Sequence, residues 1–440
     1  MVGSGWQQRV CRGVRRGVIV GALGAFGAAC VPATSAPPVP AIPPPSAPVF
    51  RLPQVVPRPP GFVPTAPPGF RVELYTADVA SPRSLLVLPG GDVLVAEGRT
   101  ERMGEMPAAV IKALTAQGVF GPSPDRILRL RGPAGRVTVT TAAAGLRQPY
   151  GMAVLGPWLY VANTDGLVRF AWDRATGALG ARPEPVLALP AGEPNNHWTR
   201  NLLPTPAGDR LFVAVGAATN VNEDGQDPPD RAAIWAIRPD GSDKRLYATG
   251  LRNPVGLAFE PRTGALWTTV NERDGLGEDT PPDYLARVVE DGFYGWPWVY
   301  FGTYADPVHA RRSPERVAEA RRRARVPDLA LGGHSVPLGL AFLRGAGFPE
   351  RYRSGAFVAR RGGGSRVRYL GFDVVFVPFA DGAPTGAVEP FLTGFVPDPA
   401  SPRVYGRPVD VAELPDGSLL VSDDAGRAVW RVSWVGDAVR

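Results

Sequence analysis

The sequence predicts an all-β fold, a six-bladed β-propeller with two short helical insertions. A strand–turn–strand phrase recurs six times along the chain. Further strand-like runs between the copies bring each to about four strands, the content of one propeller blade. The 53 Gly and 50 Pro among 440 residues favour many short strands joined by turns over long helices.

The first copy runs Ser84 to Leu88, turns at Pro89-Gly-Gly-Asp92, and continues Val93 to Ala96. The second is Tyr150 to Val154, then Gly156-Pro157, then Trp158 to Ala162. The third is Asn201 to Pro204, then Ala207-Gly-Asp209, then Leu211 to Gly216. The fourth is Val255 to Phe259, then Arg262-Thr-Gly264, then Leu266 to Thr269. The fifth is Leu338 to Phe342, a longer turn, then Gly355 to Ala359. The sixth is Val409 to Leu414, then Pro415-Asp-Gly417, then Leu419 to Ser422. Arg126 to Leu130, Gly166 to Trp172, Ala233 to Ile237 and Ala428 to Trp434 supply outer strands. At about 60 residues per blade the copies exceed a compact repeat, so the surplus belongs in loops.

Two insertions read as helical. Residues 103–117 are rich in Ala, Leu and Met. Residues 313–325 begin with a Ser313-Pro314-Glu315 helix start. The second carries Arg316, Arg321, Arg322, Arg323 and Arg325, either a solvated face or a patch for an acidic partner.

Ahead of the repeats, Arg9, Arg12, Arg15 and Arg16 precede an apolar stretch, Val18 to Phe26, too short to span a bilayer. Gly27-Ala28-Ala29-Cys30 resembles a bacterial lipoprotein cleavage site. Residues 1–29 therefore read as an export signal. The expected location is the bacterial cell envelope, lipid-anchored at Cys30 or periplasmic. Residues 30–68, rich in Pro, Ala and Ser, read as an extended tether. The propeller is expected over 69–436.

The net charge is +7, with nearly all basic residues Arg and only Lys112 and Lys244 as lysines. Acidic residues share the same segments, and no aromatic–basic motif appears, which argues against a nucleic-acid partner. The two cysteines, Cys11 and Cys30, precede the repeats. The repeats therefore hold no disulfide framework, no Cys metal site and no c-type haem motif.

Function has to be argued from the ends of the innermost strands, where they meet the central channel. His197, one of three histidines beside His309 and His334, lies in Glu193-Pro-Asn-Asn-His197-Trp-Thr-Arg200-Asn201 at the entry to the third copy. Histidine is suited to take a proton near neutral pH. Arg252-Asn253-Pro254 opens the fourth copy, and Asn271-Glu272-Arg273-Asp274-Gly275 closes it. An Arg with an Asn suits a planar anionic ligand, and the carboxylate-rich loop suits Ca²⁺.

His197 in its context, Arg252-Asn253-Pro254 and Tyr294-Gly295-Trp296-Pro297 resemble the soluble PQQ-dependent glucose and sorbosone dehydrogenases. The likeness is nearest to the L-sorbosone branch, through Pro67-Pro68-Gly69-Phe70 and the closing run from Gly406 to Asp424. The resemblance implies His197 as general base for a sugar-like alcohol and Arg252 as a charge-stabilising partner. It implies PQQ held by Arg252, Asn253, Glu272, Ser335, Arg361, Arg366 and Arg407. It implies Ca²⁺ held at the Arg273-Asp274 loop. Electrons would leave to a separate acceptor. The fifth copy departs from the branch: Arg360-Arg361-Gly-Gly-Gly-Ser-Arg366 replaces its Glu-His-Gly-Ser-Trp-Asn-Arg run, with loss of an aromatic. Two other classes stay open, a Ca²⁺-dependent lactonase and a non-catalytic binding propeller.

Overall fold

The computed structural model describes residues 41–101 and 107–436. The export signal, Cys30 and the start of the first insertion lie outside the described residues. Six sheets of four main strands follow the six copies. Their innermost strands are Pro82–Val87, Met152–Leu155, Arg200–Pro204, Pro254–Phe259, Pro337–Phe342 and Pro408–Glu413. Each packs against the next, and the sixth returns to the first, so the strands ring a central axis. Blades 1 to 6 are numbered in this order. Blade 6 takes its outermost strand, Phe70–Thr76, from the start of the propeller, paired antiparallel with Ala428–Trp434. This closure hydrogen-bonds the first segment of the ring to the last and leaves no break between them.

The small residue in the repeat phrase has a steric cause. A Cβ on Gly151 would lie 2.7 Å from Asn201 Cα, one on Gly256 2.4 Å from Leu338 O, and one on Gly339 2.5 Å from Asp410 Cα. Inner strands of adjacent blades touch at these points. Polar side chains clamp the same ring. Asn201 Nδ2 donates to Val255 O at 2.6 Å, and Asp410 Oδ2 accepts from Leu85 N at 2.8 Å. Ser422 Oγ donates to Arg83 O at 2.6 Å. The apolar core lies between neighbouring sheets, where Trp235, Trp267 and Trp430 are wholly buried. Each such ring contributes about 3–5 kcal/mol relative to alanine.

The first insertion forms a helix at Ala108–Ala116. The second forms a helix at Pro314–Arg323, preceded by a separate helix, Pro307–Arg312, that Asp306 caps. Its arginine-rich face is mostly exposed. One further short helix, Glu350–Arg353, fills the long turn of the fifth copy.

The Pro-rich segment differs from a free tether over its described part. Residues 41–68 are extended, as their prolines require, but they are docked on the propeller. Gln54–Val55 pairs in parallel with Arg403–Val404. Ser46 N bonds Leu276 O at 2.9 Å, and Thr65 pairs with Thr393. An extended chain leaves its N–H and C=O groups unpaired within itself, and here loops of the propeller satisfy them.

Candidate active site

A cavity of about 770 Å³ opens at the entries of the inner strands. His197, Arg252, Asn253, Glu272, Asp274 and His334 line one part of it. Arg83, Arg361 and Arg407 line another. Pro48 to Phe50, Leu52 and Pro53 contribute an apolar wall from the docked strap.

His197 is half-buried, and its Nδ1 lies 2.7 Å from Ala217 O. A carbonyl only accepts, so Nδ1 carries the proton and Nε2 keeps its lone pair. Burial, and then the Arg252 charge, hold the imidazole well below its ordinary pKa, so it is neutral at pH 7. Its carbonyl oxygen accepts from Arg200 at 2.6 Å and from Arg231 at 3.0 Å. Neither arginine pairs with a carboxylate among the described residues. They fix the loop main chain. Gly216 allows the site to close up: a Cβ there would sit 2.3 Å from Asn253 Oδ1 and 2.7 Å from His197 Cβ.

Arg252 donates to Asn220 O, Asn271 O, Glu272 O and Asn220 Oδ1. That consumes four of the five N–H groups of a guanidinium and leaves one. Asn253 Oδ1 is buried with no partner. Burial pushes Glu272 up to about 7 and Asp283 up to about 6. His334 differs from His197. Its Nε2 faces Gly277 O at 2.8 Å and its Nδ1 faces Asp274 Oδ1 at 3.0 Å. Burial pulls its pKa down, but Asp274 and Asp283 raise it overall. Both ring nitrogens therefore face acceptors, and the facing Asp274 carboxylate is held at about 2. His334 and Val336 both have positive φ, 56° and 52°. For a β-branched residue this is strained backbone, and it borders the cavity.

On the opposite wall Asp424 Oδ2 accepts from Arg83 Nη1 and, at 2.8 Å, from Arg361 Nε. Burial pushes the Asp424 carboxyl up, but Arg361, Arg83 and Arg407 bring it below its ordinary value. Arg407 donates through Nε and Nη2 to the carbonyls of Arg361 and Gly362. Its Nη1 is not used in those bonds.

The remaining sequence-predicted residues stand outside this lining. Ser335 is fully buried with Oγ 3.4 Å from Asp283 Oδ2. Arg366 pairs with Asp279 and bonds Glu278 O, both at 2.6 Å. Arg273 pairs with Asp306 at 2.6 Å and donates from Nε to Asp274 O at 3.0 Å. His309, buried, holds Val221 O at 2.9 Å. Sequence reasoning missed Arg83, Asp424 and the strap. Arg83 stands one residue before the first repeat phrase, the same entry logic that singled out Arg252. Nothing in the strap's sequence indicates where it docks.

Residues 185–361 match the family described as Glucose / Sorbosone dehydrogenase. An uncharacterized protein of Borreliella burgdorferi is 27% identical over 305 residues, 67% of this chain and 78% of that protein. Among solved structures, the calcium structure of a Trichoderma reesei family AA12 enzyme aligns at TM-score 0.67 and 19% identity, over 84% of this chain and 97% of that one. The holo pyranose dehydrogenase PQQ domain of Coprinopsis cinerea aligns at 0.65 and 20%, over 87% and 99%. The PQQ-bound aldose sugar dehydrogenase of Streptomyces coelicolor aligns at 0.54 and 18%, over 84% and 99%. At these identities the structural likenesses establish the fold.

Proposed function

We propose that this chain, similar over its middle to the glucose and sorbosone dehydrogenases, is a PQQ- and calcium-dependent sugar dehydrogenase. Its substrate would be an aldose, sorbosone or a related sugar-like alcohol, and a separate acceptor would take the electrons. The observation that carries this reading is a neutral histidine with a free base nitrogen beside Arg252 and Asn253, in a cavity walled by Arg83, Arg361 and Arg407. PQQ carries three carboxylates. Of those three guanidiniums Arg83 and Arg361 share one carboxylate, Asp424, and Arg407 pairs with none among the described residues, so two positive charges remain uncompensated. The orphaned Asn253 Oδ1 and the volume of about 770 Å³ also fit a planar polar guest.

When bound, PQQ supplies a quinone able to accept a hydride, and calcium a Lewis acid beside it. Arg361 and Arg407 would hold carboxylates. The remaining Arg252 N–H and the Asn253 amide would orient the guest. No group of three or more His, Cys, Asp or Glu among the described residues is arranged for a metal. Calcium would rely on main-chain oxygens of the Arg273-Asp274 loop and displace the Arg273 contact to Asp274 O. His197 Nε2 would take the hydroxyl proton. Burial and the Arg252 charge disfavour the resulting imidazolium, which favours prompt release of that proton.

The test is to purify the chain, add PQQ with Ca²⁺, and assay aldoses and sorbosone with an artificial electron acceptor. Absence of PQQ binding refutes the reading. Export and lipid anchoring at Cys30 belong to the same proposal, supported by the basic and apolar start of the chain. Mass spectrometry of the mature N-terminus tests them, and an unmodified residue there refutes the anchor.

A further inference from the structure

A second cavity, of about 380 Å³, lies beside the first and shares Arg83, Thr100, Val119 and Arg361 with it. Its walls carry five guanidiniums, Arg58, Arg83, Arg99, Arg361 and Arg427, and a single carboxylate, Asp424. Asp424 pairs with Arg83 and Arg361 through Oδ2, and its Oδ1 is buried without a partner, one acceptor against the several donors around it. Arg58, Arg99 and Arg427 form no ion pair among the described residues. Arg58 Nη1, Arg83 Nε and Arg99 Nε are buried without an acceptor. Arg58 comes from the docked strap and stacks on Trp430, 5.0 Å from the ring centroid, which holds its position. Donors left unpaired in a cationic enclosure favour a guest rich in acceptor oxygens.

We propose that this cavity is a binding site for a small oxyanion, carboxylate or phosphate, distinct from the site of His197. Arg58, Arg99 and Arg427 supply the uncompensated charge, and Arg83 and Arg361 separate it from the central cavity. The oxyanion is either a free ion or the acid group of a sugar whose reacting end reaches His197.

The site is tested by calorimetric titration of the apo chain with inorganic phosphate and with gluconate. Binding of at least one probe is expected, weakened about tenfold in Arg58→Gln and in Arg99→Gln. The exposed Arg427→Gln serves as a third variant should either of these misfold. No binding of either probe, or unchanged affinity in the variants, overturns the proposal. Loss of probe binding once PQQ is added also overturns it, since the cofactor's own carboxylates would then occupy the cavity. The first titration needs no turnover, so its failure is separate from failure of the dehydrogenase reading. The source follows from KM in Arg99→Gln. A rise of about tenfold for glucuronate with none for glucose identifies the substrate's acid group; equal values identify a free ion.

Discussion

On the side of the central cavity built by blades 3 and 4, the buried arginines serve the main chain. Arg200 and Arg231 hold the His197 carbonyl, and Arg252 gives four N–H groups to oxygens of residues 220, 271 and 272. On the side built by blades 5, 6 and 1, Arg83 and Arg361 converge on one carboxylate, and Arg407 keeps Nη1 out of its main-chain bonds. The residue type is the same. What differs is how many donors remain for a guest, so one side is suited to position a base and the other to neutralise an anion.

The largest effect that would break this contrast is on the first side. His197→Ala is expected to lower turnover about 100- to 10,000-fold while PQQ affinity, read by absorbance titration, stays near that of the parent. Equal loss of PQQ affinity would mean that His197 is part of the anion-binding wall. On the second side, Asp424→Asn leaves Arg83 and Arg361 without their counter-charge. A cost of about 3–5 kcal/mol is expected in denaturant unfolding. Arg407→Gln should weaken PQQ by about tenfold and, by freeing the carbonyls of Arg361 and Gly362, cost about 1–3 kcal/mol in the apo chain's unfolding. Gly216→Ala drives a methyl group into Asn253 Oδ1 and His197 Cβ, with an expected cost of about 1–3 kcal/mol and a fall in turnover.

The smallest effect concerns pH. Burial raises Glu272 and Asp410 to about 7, and Asp283 and Asp423 to about 6. These folded values exceed the unfolded carboxyl range of about 4. The folded chain therefore binds more protons, and this stability is full below about pH 4 and lost as pH rises through 6 to 7. His197 opposes it below about 6.5, and Asp274, held at about 2, opposes it at stronger acid. The apo chain should thus melt at lower temperature at pH 8 than at pH 5.5. Asp410→Asn should flatten that slope, as thermal melts across pH would read.

The inner-strand phrase was legible because steric need writes itself into residue type. Gly151, Gly256 and Gly339 recur where inner strands touch, and the apolar strands beside them bury. His197, Arg252 and Asn253 were legible as polar residues at strand entries, and the structure gathers them in one cavity. Arg83 and Asp424 were less so, because their pairing joins positions 341 residues apart. Ser335 and Arg366 stand near the site in sequence, yet their side chains face Asp283 and Asp279.

The sequence by itself determined the propeller, its six blades and the residues at their entries, since each follows from local periodicity and from side-chain size at a repeated contact. Tertiary structure alone decided which arginines retain donors and which histidine keeps a ring nitrogen without an acceptor opposite it. Those properties depend on carbonyls and carboxylates brought from other blades. It also decided that the proline-rich strap forms one wall of the cavity, because an extended segment without a side-chain period carries no local signal of the surface that will satisfy its backbone.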